Sequence, residues 1–366
     1  MLLWLLRSLA PAGEQGAPFL TVRIAAAAML SFTAALALGP FAIAWLRRRK
    51  IGERIDSPSE TLNQLHAGKQ NTPTMGGVFI VAAIAVATII CGDPSNGLLL
   101  LGLLTAAIFG LIGVIDDYRK LTTSTRGMTA WAKLLVLGVM SLNVGLGLTL
   151  LSAAPEVGAG PVDLEELAVG WKLPSLSFVV VGMLWRGFVL LGSSNAVNLT
   201  DGLDGLAPGC VVFAGTAMSA LAYLSGHRIM ADHLSLPHVV GAGELAILGS
   251  AMVGATLGFL WYNAAPAQVF MGDAGSLPLG ALLAFIALAI RQEWLLVLIG
   301  GVFVAEALSV ILQVSSFKLT GKRIFACSPL HHHFQFRGMP ETKIVIRFWI
   351  VAALLAIAGL ATLPLR

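Results

Sequence analysis

Two amides and two carboxylates recur at a spacing of three residues, between apolar runs long enough to cross a membrane. They are Asn195, Asn198, Asp201 and Asp204. A carboxylate this close to hydrocarbon is costly, so it indicates a functional site. On an α-helix this spacing turns each residue back by about 60°, which would place Asp204 opposite Asn195. Because Gly202 and Gly205 can break the helix, we predict a polar turn between two helices, with side chains directed into a water-filled site.

Three other motifs carry acidic or basic groups. Adjacent Asp116 and Asp117 precede two cations, which suits a divalent metal, a phosphate site or a general base, and equally suits a solvated helix end. Asp273 lies between glycines just ahead of a predicted helix, where it can cap that helix or open the backbone to a phosphate or metal. Lys69 lies in a glycine-containing loop that suits anion contact, and a solvated lysine explains it equally well.

Histidine, amide and aromatic residues add to these motifs. His331, His332 and His333 are successive, and three successive histidines seldom point one way, so we expect phosphate or substrate contact rather than a metal cluster. Asn263 ends an apolar run and is a candidate neighbour of Asp273. Phe270 can stack on a flat ring or serve as an interfacial anchor.

The composition defines the elements that must position these residues. Hydrophobic residues make up 57% of the chain, charged residues only 11%, and the mean hydropathy is +0.85. Since soluble domains are about 25% charged, the chain is predicted to be an all-α polytopic integral membrane protein. Its net charge of +4 belongs to loops beside the helices and does not indicate nucleic acid. Three scattered cysteines predict neither a disulfide framework nor a zinc site.

A span of about 20 apolar residues crosses the hydrocarbon, and on that criterion ten transmembrane helices are predicted. They lie near residues 21–46, 75–91, 97–115, 129–151, 175–193, 206–225, 241–261, 276–291, 294–315 and 344–364. Sixteen of the 23 basic residues fall in or beside the loops after the first, third and ninth of these helices, against six on the other side. Basic residues favour the cytoplasmic side, so both termini are predicted to be external (periplasmic).

This topology places every polar motif on the cytoplasmic face. We therefore predict one membrane-embedded domain over residues 1–366, with an N-terminal interfacial segment at 1–20. Its site is formed by cytoplasmic loops at 47–74, 116–128, 193–206, 262–275 and 316–343. Five acidic residues with lysines, histidines and a glycine-containing loop suit phosphoryl transfer, in which positioning and charge stabilisation supply most of the catalysis. No Walker loop is present, so ATP hydrolysis is not indicated.

Three segments, 195–207, 270–276 and 328–334, resemble the bacterial phospho-N-acetylmuramoyl-pentapeptide transferase family, and the similarity runs from about Arg47 to the C-terminus. The wider superfamily of polyprenyl-phosphate sugar-1-phosphate transferases shares the acidic motifs. The resemblance implies a ten-helix, magnesium-dependent enzyme of the bacterial inner membrane, usually a homodimer. It would transfer phospho-MurNAc-pentapeptide from UDP-MurNAc-pentapeptide to undecaprenyl phosphate, giving lipid I and UMP.

The resemblance also implies roles for individual residues. Asp116, Asp117 and Asp273 match the catalytic carboxylates, with Asp273 as the magnesium ligand and Asp116 as the favoured base for the lipid phosphate. Positions around the uridine-diphosphate end are matched by Asn198, Asp201, Asp204, Asn263 and Phe270. Polar groups lining the same cleft are matched by Lys69, Lys120, Lys133, Gln313, His331, His332 and His333.

Several alternatives stay open at the level of sequence. The lipid phosphate can attack directly, or an aspartate can attack first and form a phospho-enzyme. A related enzyme using UDP-GlcNAc is the nearest rival. A secondary transporter also uses broken helices and intramembrane carboxylates, but is expected to place them near the midplane. Arg186, inside a predicted helix, has no role in any of these hypotheses.

Overall fold

The computed structural model describes Leu2 and residues 19–49, 69, 72–122, 127–153 and 176–363. Within these ranges the chain is all-helical, with 81% helix and no strand. The helices are α1 (Leu20–Arg48), α2 (Gly77–Cys91), α3 (Gly97–Thr122), α4 (Ala130–Ala153), α5 (Leu176–Thr200), α6 (Leu206–Gly226), α7 (Arg228–His233), α8 (Ala242–Asn263), α9 (Asp273–Ala289), α10 (Glu293–Ile299), α11 (Gly301–Thr320), α12 (Leu330–Phe336) and α13 (Glu341–Ala361). The predicted interfacial segment 1–20 lies almost entirely outside these ranges, as does most of the loop 47–74.

Eight of the helices in the described ranges are long and apolar enough to cross a membrane: α1, α3, α4, α5, α6, α8, α11 and α13. Two further apolar helices, α2 and α9, are shorter, with 15 and 17 residues. Each of the ten predicted apolar segments therefore coincides with helix. The predicted segment 294–315 differs in being divided into α10 and α11 at Gly300, where a pair of glycines weakens the helix.

Several helices are longer than predicted, and at α3 and α5 the difference moves site residues from loops onto helices. α5 continues to Thr200, so Asn195 and Asn198 lie in its last two turns, and α3 continues past Asp116 and Asp117. The chain then turns at residues 201–205 and α6 begins at Leu206. Gly205 has φ +79°, a conformation that glycine adopts without steric cost. The predicted break between the two helices is therefore confirmed.

The shorter helix α9 lies at the centre of the bundle, and all of its residues are buried. It packs against α3, α5 and α6, while α8 packs against α1 and α6. Its N-terminal end is closely approached by glycines of two neighbours. A Cβ atom on Gly113 of α3 would lie 2.1 Å from the carbonyl oxygen of Asp273, and one on Gly77 of α2 would lie 1.9 Å from the amide nitrogen of Gly275. These contacts bring α2 and α3 against the start of α9.

Polar clusters mark both ends of the bundle. At one end, Arg23 of α1 donates to the Cys91 carbonyl oxygen and to Glu244 of α8, at 2.8 and 2.7 Å. The backbone N–H of Asp93 donates to the same glutamate oxygen at 2.7 Å. This buried ion pair ties the ends of α1, α2 and α8 together. At the other end of α8, Asn263 accepts the backbone N–H of Gly205 in the turn between α5 and α6.

Candidate active site

Three buried carboxylates surround the ammonium group of Lys120. Its Nζ lies 3.1 Å from Asp116 Oδ2, 3.3 Å from Asp117 Oδ1 and 2.8 Å from Asp273 Oδ2. Asp116, Asp117 and Lys120 come from the last turns of α3, where a spacing of three or four places side chains on one face. Asp273 is the first residue of α9. The close approach at Gly113 is what brings these two helix ends within ion-pair distance.

Two further polar residues complete the environment of Asp273. Lys133 of α4 places Nζ 2.5 Å from Asp273 Oδ2 and 3.5 Å from Asp116 Oδ2. Asn198 of α5 donates to Asp273 Oδ1 at 2.6 Å and to Ser276 Oγ at 2.8 Å. Four helices therefore converge on one carboxylate. Burial of this many acids is tolerated because the carboxylates are paired with ammonium groups and hydrogen-bonded.

Backbone donors fix the orientation of the two α3 carboxylates. The Met128 N–H donates to Asp116 Oδ1 at 2.7 Å, and the Ala274 N–H donates to Asp117 Oδ2 at 3.0 Å. Asp117 thereby occupies the N-terminal end of α9, where free N–H groups favour an anion. Gly272 has φ +69°, and a Cβ there would lie 2.4 Å from Asp117 Oδ2. The glycine before Asp273 is thus required both for its backbone conformation and for space.

A second ion-pair cluster links the turn after α5 to the start of α13. Lys69 Nζ lies 2.7 Å from Asp204 Oδ1 and 2.5 Å from Glu341 Oε1. The same glutamate oxygen accepts the Asp204 N–H at 2.9 Å, and Asp204 Oδ2 accepts the Ala267 N–H at 3.0 Å. Asn263 joins the cluster by accepting the Gly205 N–H at 2.9 Å. Asp204 and Asn263 thus hold the 201–205 turn in place.

The remaining predicted residues support the cleft by other contacts. Gln313 accepts the Ile324 and Phe325 N–H groups at 3.0 and 2.9 Å, and so folds the segment 321–329 against α11. His333 Nδ1 accepts the Ala326 N–H of the same segment at 3.1 Å. His332 Nδ1 lies 2.7 Å from Gln335 Oε1. These contacts hold the segment 321–329 between α11 and α12.

Two predicted positions lie in the segments that frame the site. Phe270 exchanges backbone hydrogen bonds with the segment before α2, donating to the Pro73 carbonyl and accepting from the Gly76 N–H. Asp201 is partly buried in the turn after α5.

The spacing-of-three pattern is therefore divided between different partners. Asn198 contacts Asp273, Asp204 contacts Lys69, and Asn195 donates back to the Leu191 carbonyl of its own helix.

Three contributing residues did not emerge from the sequence. Glu341 resembles an ordinary acidic residue in the first turn of a helix, and Ser276 resembles a helix-start serine. The local sequence around these two residues does not indicate that Glu341 contacts Lys69 or that Ser276 contacts Asn198. Glu306 did carry a signal, since an acidic residue inside a predicted span is costly. Arg186, unexplained at first, donates to Thr149 Oγ1 of α4 at 2.6 Å, away from the site.

The donor chemistry of the first cluster fits a magnesium ion. Among the described residues, no group of three or more His, Cys, Asp or Glu side chains is arranged as a metal cage. Magnesium is usually held by only one or two carboxylates together with substrate phosphates and waters. Asp117 Oδ1 and Asp273 Oδ2 both lie within 3.3 Å of Lys120 Nζ, so one cationic group is already accommodated between them. Asp273 and Asp117 are the residues that would hold the ion.

Two sequence comparisons with known protein families match the regions of the chain that form this site. The sequence model of the family described as glycosyl transferase family 4 matches residues 99–291, more than half of the chain. The phospho-N-acetylmuramoyl-pentapeptide-transferase signature 1 matches residues 69–81. The first match contains the whole carboxylate cluster with both of its lysines. The second begins at Lys69 and includes the close-packed start of α2.

Proposed function

The chain belongs to glycosyl transferase family 4, and on that premise we propose that it transfers phospho-MurNAc-pentapeptide from UDP-MurNAc-pentapeptide to undecaprenyl phosphate. The products are lipid I and UMP. The chain is a multi-pass membrane protein and a phosphotransferase of peptidoglycan precursor synthesis, as its apolar helices and transferase signature indicate. The proposal concerns the particular donor, acceptor and product.

The observation that carries the proposal is the pairing of three buried carboxylates with two lysines at one end of the bundle. Transfer between two pyrophosphate linkages requires neutralisation of several phosphate charges and precise alignment of two anions. Lys120 and Lys133 provide two ammonium groups, at 2.8 and 2.5 Å from the same Asp273 oxygen. A donor pyrophosphate placed against them would compete with the carboxylates for the two ammonium groups, and it would bring further negative charge that a bound cation can offset.

The chemical step makes one P–O bond and breaks another. A lipid phosphate oxygen attacks the β-phosphorus of the donor. The bond between this phosphorus and the oxygen that bridges it to the α-phosphate then breaks, and UMP leaves with that oxygen. Asp116 accepts a proton from the lipid phosphate where one is present, since a phosphate held by Lys120 and Lys133 would lie beside its Oδ2. Magnesium, when bound, supplies further neutralisation of the pyrophosphate charge. A phospho-aspartate route would need the same carboxylates and stays an alternative.

Other polar residues are proposed to hold the donor. Lys69, Asp201, Asp204, Asn263 and Phe270 lie along the segments that frame the cleft, and we assign them to its nucleotide end. His331, His332 and His333, with Gln313, are assigned to the sugar-peptide part of the donor. Asn198 is assigned to orienting Asp273, since its amide donates directly to that carboxylate.

The membrane arrangement is proposed in the same way. We propose ten spans in a single domain, formed by the eight long apolar helices together with α2 and α9. The basic loops are assigned to the cytoplasm, the termini to the outside, and the protein to the bacterial inner membrane as a homodimer. The separation of the Arg23–Glu244 pair and the carboxylate cluster to opposite helix ends supports a site confined to one face.

Release of UMP by the purified protein tests the proposal. UDP-MurNAc-pentapeptide is supplied with and without undecaprenyl phosphate and with and without magnesium, and UDP-GlcNAc serves as the alternative donor. We expect release that needs the lipid and the metal, with UDP-GlcNAc inert. Turnover of UDP-GlcNAc alone would assign the protein to the related branch. Absence of UMP release from both nucleotide sugars, in folded protein, would refute the proposed transferase reaction.

A further inference from the structure

Glu306 and His331 form a buried pair between α11 and α12. Glu306 is fully buried inside a helix long enough to span a membrane, and His331 is 1% exposed. Glu306 Oε1 accepts the His331 backbone N–H at 3.1 Å, and Glu306 Oε2 lies 3.2 Å from His331 Nδ1. One carboxylate therefore contacts both the backbone and the ring of the first histidine in the triple.

This arrangement is costly as a purely structural contact. Neither ring nitrogen of His331 has a hydrogen-bond partner among the described residues, and neither does Glu306 Oε2. Buried polar atoms without partners destabilise a fold, and an acidic group within a membrane-spanning helix does so strongly. An apolar pair of similar volume would pack α11 against α12 at lower cost. The presence of a carboxylate and an imidazole at this buried position therefore indicates a role beyond packing.

The ring of His331 leads directly to the 201–205 turn. A Cβ atom on Gly202 would lie 2.3 Å from His331 Nε2, so glycine is what allows the imidazole edge to touch this turn. The Glu306 carboxylate lies 3.2 Å from Nδ1 on one side of the ring, and Nε2 faces the turn on the other side. The same turn carries Asp204, which contacts Lys69.

We propose that Glu306 is a positioning residue that holds His331 against the Asp201–Gly205 turn and thereby sets the donor-binding side of the site. This inference rests on the proposed transferase function and identifies a residue that acts through another. The path runs from Glu306 through the His331 ring to Gly202, and from the turn to Asp204 and Lys69. Loss of the carboxylate should weaken handling of the nucleotide-sugar donor more than that of the lipid acceptor.

The decisive variant is Glu306→Gln, which keeps an acceptor for the His331 N–H and removes the charge facing the ring. Because hydrogen bonds to charged groups contribute appreciably, we expect kcat/KM for the donor to fall by about tenfold to a hundredfold. The KM for undecaprenyl phosphate should change by less than about twofold. A merely structural role would instead lower the amount of folded enzyme and leave both KM values unchanged.

Gly202→Ala tests the same path from the other side, and does not depend on whether the Glu306 variant folds. Its added methyl group would displace the His331 ring, so the same donor-specific rise in KM is expected. Ser309→Ala is the matched control, since Ser309 is buried one turn further along α11 and its hydroxyl donates to the Glu306 backbone carbonyl rather than to the Glu306 side chain. It should leave both KM values unchanged.

The outcomes separate this inference from the function it depends on. Absence of UMP release by the wild-type protein would refute the proposed function. Normal wild-type turnover together with unaltered donor kinetics in folded Glu306→Gln, or in Gly202→Ala, would refute the positioning role alone. An additive double variant would also contradict it, because two changes along one path should not sum.

Discussion

Replacement of Asp273 by asparagine is the most direct test of the carboxylate cluster. The change removes the charge that pairs with Lys120 at 2.8 Å and with Lys133 at 2.5 Å, while an amide of the same size can still accept from Asn198. Hydrogen bonds to charged groups contribute about 1.5–3 kcal/mol each. Loss of two such interactions amounts to about 3–6 kcal/mol.

That free energy can be converted into an expected rate. At about 1.4 kcal/mol per factor of ten, a loss of 3–6 kcal/mol lowers the rate by roughly two to four orders of magnitude. The assay is UMP release at saturating donor, lipid and magnesium, with thermal unfolding followed in parallel to show that the variant is folded. Asp232→Asn provides a matched control, since Asp232 is an exposed aspartate in α7, away from the cluster. Activity within about tenfold of wild type for folded Asp273→Asn would refute the assignment of Asp273 as a catalytic carboxylate or metal ligand.

Three further changes probe the parts that position the site. Gly113→Ala should push α3 away from Asp273 and lower both kcat and the unfolding temperature. Gly192→Ala, whose added methyl group would meet open space, should lower neither. Equal effects of the two changes would show that the close contact at Gly113 does not position the site. Glu341→Gln should raise the KM for the donor, because Glu341 anchors both Lys69 and the Asp204 backbone N–H and so holds the 201–205 turn in place; an unchanged KM would remove this cluster from the donor site. His332→Ala should weaken donor handling as well, which unchanged kinetics for both substrates would disprove.

The apolar segments could be predicted from the sequence because hydropathy is a local property. Each predicted segment coincides with helix, and the break after Thr200 follows from Gly202 and Gly205. Helix ends were less predictable, since polar residues such as Asn198 and Asp116 continue a helix when its last turn is packed against others. Propensity and polarity alone therefore placed these residues in loops, and tertiary contacts placed them on helices.

The partners within the site could not be predicted, because they join residues distant in sequence. Nothing in the sequence around Glu341 indicates that its carboxylate meets Lys69 and the Asp204 amide. The role of Gly113 is equally hidden, since its effect depends on the carbonyl of Asp273 on another helix. Glu306 is the exception. A carboxylate inside a predicted membrane span is costly, so the position of Glu306 alone indicates a functional residue.

The pairing of both lysine groups with carboxylates has a consequence for substrate binding. Lys120 and Lys133 have acidic partners in the free protein, so a donor pyrophosphate must compete with those partners. Part of its attraction to the lysines is offset by the contacts it replaces, which limits ground-state binding. The carboxylates that are displaced become available at the same moment, to accept a proton or to hold a metal ion beside the phosphates. Interactions that strengthen only as the transferring phosphoryl group develops charge lower the barrier without tightening substrate binding.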